Sequence, residues 1–158
     1  MNQRLKNVVA PILAIGALAA AATALAQQAP KPEQLIKWRQ SAYQVIAWNT
    51  GRVKANVDGQ YNKEEVIKAA NTIAAIANSG LGALYAPGTE TGKGWHETSV
   101  KPELFTDKKA GEVAASFNKE ANELAKLAAL GDVAAVKAQL GKLQGTCKAC
   151  HDDFRKKD

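Results

Sequence analysis

In the stretch Cys147-Lys148-Ala149-Cys150-His151, two soft sulfur donors sit beside an imidazole. These are the only two cysteines of the 158 residues and one of only two histidines. Helix positions three and four apart share a face, so on a helix the two sulfurs project side by side and His151 leaves the same flank. This is the C-x-x-C-H pattern by which a haem is held through two thioether bonds and one imidazole ligand to iron.

Other chemistries use the same residue types. A disulfide or redox dithiol between Cys147 and Cys150 is open to an exported chain, but such dithiols open a helix within a βαβ pattern, and no strands precede this one. Zinc needs a fourth ligand, and the one remaining histidine, His96, lies in a Gly-rich stretch without ligand-like spacing. Unrelated core cysteines are the third alternative.

The N-terminal sequence bears on this choice. Arg4 and Lys6 precede an apolar run, and Ala24-Leu25-Ala26 has the small-x-small form of a signal-peptidase site. We expect residues 1–26 to be a cleaved secretory leader and residues 27–158 to be one haem c domain. The run is Ala-rich, contains Pro11 and Gly16, and is shorter than the ~20 strongly apolar residues of a spanning helix, so no membrane association is expected after cleavage. Cleavage removes two basic and no acidic residues, lowering the net charge from +6 to +4. The remaining excess is spread along the chain, no aromatics interleave with basic runs, and nucleic acid is not expected as a partner. Cleavage also removes Met1, the only methionine.

The elements that must position the motif read as helices, because apolar residues recur at three- and four-residue steps with little β-branched alternation. The first helix runs from Pro32 to about Val57 and ends at Asp58-Gly59. Asn62, with Glu65 three residues on, resembles a capping box opening the second, which extends to Ser79-Gly80. A Gly-, Pro- and Thr-rich connection follows, with a short turn at Lys101–Phe105. The third helix starts near Asp107, turns Val113, Phe117, Leu124, Leu127 and Leu130 inward, and stops at Gly131. Asp132 caps the fourth, whose stripe is Val133, Val136, Leu140, Leu143, Cys147, Cys150 and Phe154. Gly141 and Gly145 weaken that helix and suggest close approach of another body. The expected fold is all-α, an antiparallel four-helix bundle.

An exported all-α chain with C-x-x-C-H on its last helix points to haem c. It resembles the cytochrome c′ family, through "KPEQLIKWRQSAYQ" in the first helix, "YAPGTE" in the loop and "CKACHDDFRKK" in the last helix. The resemblance implies a periplasmic homodimer, formed through the first two helices, with one haem c per chain. It also implies five-coordinate iron on His151 under an apolar distal face, binding of nitric oxide and carbon monoxide, and Tyr43 overhanging the iron. Gln40 is similar to the family's neighbouring haem contact, and Arg39, one turn before Tyr43, is expected at a haem propionate.

On the distal side, a methionine ligand would raise the potential of an electron carrier, and the mature chain has none. His96 is the formal alternative for a six-coordinate carrier. Tyr85 is expected against the same distal face, and Arg155, four residues beyond His151, beside the proximal imidazole. With few acids or bases near the iron, the chain is not expected to be an enzyme. Its redox partner is not legible, and Trp38 and Trp48 fit either a dimer contact or the monomer core.

Overall fold

The computed structural model describes residues 29–157. The expected leader, residues 1–26, lies outside them. The described residues form α1 (Pro32–Asp58), α2 (Lys63–Ala77), α3 (Lys108–Leu130) and α4 (Val133–Phe154). Single 3-10 turns at Leu81–Leu84 and Pro102–Phe105 punctuate the long connection between α2 and α3. None of these helices is long and apolar enough to cross a membrane.

Local chemistry sets the helix ends. Pro32 opens α1, where its missing N–H costs nothing. Asn62 accepts from the Glu65 N–H at 3.1 Å, but the Glu65 carboxylate pairs with Arg52 at 3.2 Å instead of returning to Asn62. The Asn62 N–H is satisfied by the Asn56 side chain at 2.8 Å, so only half of a capping box forms. Asp107 and Asp132 cap α3 and α4 by accepting from the Lys109 and Ala135 N–H groups. Gly131 ends α3 at φ +84°, a left-handed conformation that glycine adopts without Cβ strain.

Connections of a few residues at 59–62 and 131–132 return the chain on itself, giving antiparallel neighbours. Val53, Val66, Ile73, Leu124, Val136 and Leu143 are fully buried between the helices. Contact between α1 and α4 is the sparsest of the four lateral seams. Two inward assignments need correction: Leu130 is 73% exposed and Val133 37% exposed. They flank the tight turn at Gly131, where the helices end and no opposing layer covers them. Gly141 and Gly145 meet no protein atom within 4 Å of a would-be Cβ, so neither marks a close contact within the chain. Each lines a shallow surface cleft instead.

The long connection folds back over α1, and Gly94 is where it comes closest. A Cβ there would lie 2.7 Å from the Lys37 nitrogen, 2.8 Å from its Cα and 2.6 Å from Gln40 Oε1. The helix backbone cannot yield as a side chain would. Gly94→Ala should therefore push the loop off α1 at a cost of roughly 1–3 kcal/mol, read as a lower midpoint in thermal unfolding followed by circular dichroism. An unchanged midpoint would mean that the loop is not seated on α1.

Candidate functional site

The inward stripe of α4 changes character after Leu143. That residue is fully buried, whereas Cys147 and Cys150 are half-buried. Phe117 on α3 and Leu84 in the loop also lie partly buried at the edge of the core. At this end of the bundle both sulfurs remain partly open to solvent. Cys147 donates weakly to the Leu143 carbonyl at 3.5 Å, and both cysteines are free thiols. Burial pushes both thiols above their ordinary pKa, and for Cys150 the neighbouring Cys147 and Asp153 add to the shift. They are neutral thiols at pH 7. Among the described residues no group of three or more His, Cys, Asp or Glu side chains is arranged to hold a metal ion.

His151 follows on the last turns of α4. Desolvation, then the positive charge of Arg155, lowers its pKa against a weaker opposing pull from Asp152. The imidazole is consequently neutral at pH 7 and keeps a lone pair for a metal. Arg155 lies just past the helix, its N–H donating to the His151 carbonyl at 3.2 Å.

Tyr43 of α1 stands near the cysteines, close enough that charge on Cys150 and Cys147 would influence its ionisation. Tyr43 as a whole is 38% exposed. Desolvation of the phenol raises its pKa, and that of Tyr85 rises further, the two groups lying near enough to influence each other's ionisation. Both phenols are neutral across the physiological range. The structure therefore brings Tyr43 and Tyr85 together on one wall, facing the motif on α4.

Arg39, one turn before Tyr43, is 3% exposed. Nη1 donates to the Thr89 hydroxyl at 2.8 Å and the Leu84 carbonyl at 3.3 Å. Nη2 donates to the Thr89 carbonyl and the Thr98 hydroxyl, both at 2.6 Å. The guanidinium also stacks on Tyr85, 4.9 Å from the ring centroid. Both terminal nitrogens are thus spent on the loop, leaving the Nε–H. No carboxylate forms an ion pair with Arg39 among the described residues, and Glu90 acts on this buried cation only through space. Such a charge is costly unless an anion approaches.

Gln40 points to the outer part of the loop. Its amide oxygen accepts from the Trp95 N–H at 2.7 Å, and its amide nitrogen donates to the His96 carbonyl at 2.9 Å. His96 is exposed, with Nδ1 3.3 Å from Gln40 Nε2 and 3.0 Å from the Glu97 carbonyl. Gln40 and His96 form one unit that pins the loop to α1. Thr89, fully buried, and Thr98 are polar residues here that the sequence did not single out. A threonine in a Gly-rich loop carries no signal of its own, since its partner Arg39 is 50 residues away in the chain.

The donor set fits a haem c. Two neutral thiols and a neutral imidazole share one helix flank, two phenol rings lie near the thiols, and a buried guanidinium without an ion-paired carboxylate sits one turn from Tyr43.

Residues 34–155 match the family model described as cytochrome C'. The cytochrome c' of Rhodocyclus tenuis is 75% identical over 130 residues, covering 81% of this chain and 98% of that protein. Among solved structures, a cytochrome c' with ligand-controlled dimer dissociation aligns with a TM-score of 0.78 at 47% identity, covering 81% of this chain and 98% of the other. A carbon-monoxide-bound variant of cytochrome c prime from Alcaligenes xylosoxidans aligns with a TM-score of 0.71 at 31% identity, covering 80% and 98%. From the motif on α4 to the match along nearly the whole bundle, these likenesses agree, and the chain belongs to the cytochrome c′ family of c-type haem proteins.

Proposed function

We propose that this chain is exported to the periplasm, is cleaved after Ala26, and carries one haem c that binds nitric oxide and carbon monoxide. Cys147 and Cys150 hold the porphyrin through thioether bonds, and His151 is the proximal ligand. Once held there, the haem would supply an iron able to take a diatomic molecule. The observation that carries this reading is the wall opposite the motif: two neutral phenols, and no methionine anywhere in the mature chain.

The residues divide the work. His151, neutral at pH 7, offers its lone pair without first losing a proton. Tyr43 and Tyr85 present uncharged rings, a surface that disfavours anions and water relative to small apolar gases. Arg39 keeps its Nε–H for a propionate and offsets that carboxylate's charge, while Gln40 sets the loop beside it. Arg155 holds positive charge on the proximal side. The bonds that Gln40 makes to the His96 carbonyl and the Trp95 N–H support a loop-anchoring role for this stretch.

Association between chains is supported by a stripe of apolar side chains on α1. Trp38 is 47% exposed, Val45 38% and Trp48 64%, with Arg52 stacked on Trp48 4.9 Å from the ring centroid. A self-complementary helix face of this kind suits a two-fold homodimer.

Adding carbon monoxide to the reduced protein tests the reading. The absorption bands of the haem should shift at once, and an unchanged spectrum would establish a sixth ligand and defeat it. Tyr43 must move aside for the gas. A lid open about 1–10% of the time taxes binding by the same factor, so Tyr43→Ala should raise the association rate roughly 10- to 100-fold in flow-mixing experiments. A rate equal to wild type would remove Tyr43 from the entry path.

A further inference from the structure

Residues 98–101 touch both sides of the proposed gas site. Toward Tyr43, the Thr98 hydroxyl accepts from Arg39 Nη2 at 2.6 Å, and the same guanidinium stacks on Tyr85. Toward His151, the Lys101 N–H donates to the Phe154 carbonyl at 2.8 Å, and the Lys156 N–H donates to the Ser99 carbonyl at 2.7 Å. Val100 and Arg155 face each other between these bonds as an antiparallel bridge. Lys101 Nζ adds a bond to the Asp153 carbonyl at 2.8 Å, placing a cation at the negative pole of α4. Arg155 then donates back to the His151 carbonyl.

The two ends of this segment are three residues apart. Four residues tied at both ends by hydrogen bonds have little slack, so a pull at Thr98 reaches the end of α4 instead of being absorbed. The segment is also held locally, by the Thr98 N–H on the Gly92 carbonyl at 2.9 Å and by the Leu104 N–H on the Lys101 carbonyl at 3.1 Å. Those bonds fix the loop locally and leave the Arg39 contact as the link to the wall of tyrosines.

We propose that residues 98–101 are a strap coupling the Tyr43–Tyr85 wall to the turn that carries His151, with Thr98 as the positioning residue. Rings displaced by an entering diatomic shift Arg39, Arg39 shifts its grip on Thr98, and the bonds from Ser99 and Lys101 to the end of α4 loosen. By reciprocity, a looser strap changes gas affinity by the same factor. The inference rests on the gas-binding reading of the site.

Amide hydrogen exchange at Lys101 and Lys156 reads the strap directly. It should be followed in haem-loaded, reduced protein with and without carbon monoxide, with the absorption spectrum recorded on the same samples. In wild type, carbon monoxide should speed both amides roughly five- to tenfold. In Thr98→Val both should already be fast and insensitive to the gas, and Thr98→Ser, which keeps the hydroxyl, should restore the wild-type response. A wild-type sample whose spectrum shows full carbon monoxide binding while both amides stay unchanged overturns the strap and leaves gas binding intact. A Val variant that responds like wild type overturns the role of Thr98. No spectral change at all defeats the gas-binding reading and the strap with it. Should Thr98→Val not fold, the wild-type comparison still decides.

Discussion

Matured by a cell competent in haem attachment, the wild-type chain should keep its pigment through acid–acetone extraction, and the Cys147→Ser/Cys150→Ser double variant should release all of it into the organic phase. Non-covalent haem leaves a polypeptide once acid protonates the imidazole and solvent unfolds the pocket. Thioether bonds survive both treatments. The half-burial of both sulfurs on one flank of α4, with His151 next to the second, places two attachment points and one ligand within a single turn. Each single variant should retain the pigment through its remaining bond. Pigment that stays with the double variant would show that the cysteines are not the attachment points.

Arg39→Met should lower the free energy of unfolding by roughly 1–3 kcal/mol, the cost of leaving buried hydrogen-bond acceptors without their donor. The loss has two parts. Four hydrogen bonds from a charged donor vanish, and the fully buried Thr89 loses partners for both its hydroxyl and its carbonyl. Methionine conserves length and apolar stem, so packing changes little and the polar terms dominate. Chemical denaturation at constant haem occupancy measures the effect. A loss below about 1 kcal/mol, the worth of a single ordinary hydrogen bond, would mean that the guanidinium does not anchor the loop in solution. Because Tyr85 lies beneath that guanidinium, the variant should also bind carbon monoxide faster than wild type.

Where periodicity or spacing carried the information, the reading from residues to structure held. Pro32, Asp107, Asp132 and Gly131 mark helix ends through local chemistry, and the structure has helices ending there. The stripe from Val136 to Leu143 is buried as its period implies. Leu130 and Val133 broke the pattern because helical phase says which side of a helix a residue is on and nothing about whether a neighbour covers that side near a turn. Asn62 and Glu65 show the same limit for polar groups. The spacing permits a reciprocal cap, but Arg52, from another helix, takes the carboxylate.

The sequence by itself determined the helical fold and the placing of Cys147, Cys150 and His151 on one helix, because both depend on separations of three and four residues, which a helix converts into fixed geometry. Only the tertiary structure decided what Arg39, Gln40 and His96 touch, that Tyr43 meets Tyr85, and that the 98–101 segment joins one side of the site to the other. Those pairings span some 40 to 60 residues of chain. They depend on how a Gly-rich loop is laid over α1, and no local pattern encodes the path of a connection whose anchors are single hydrogen bonds to a distant helix.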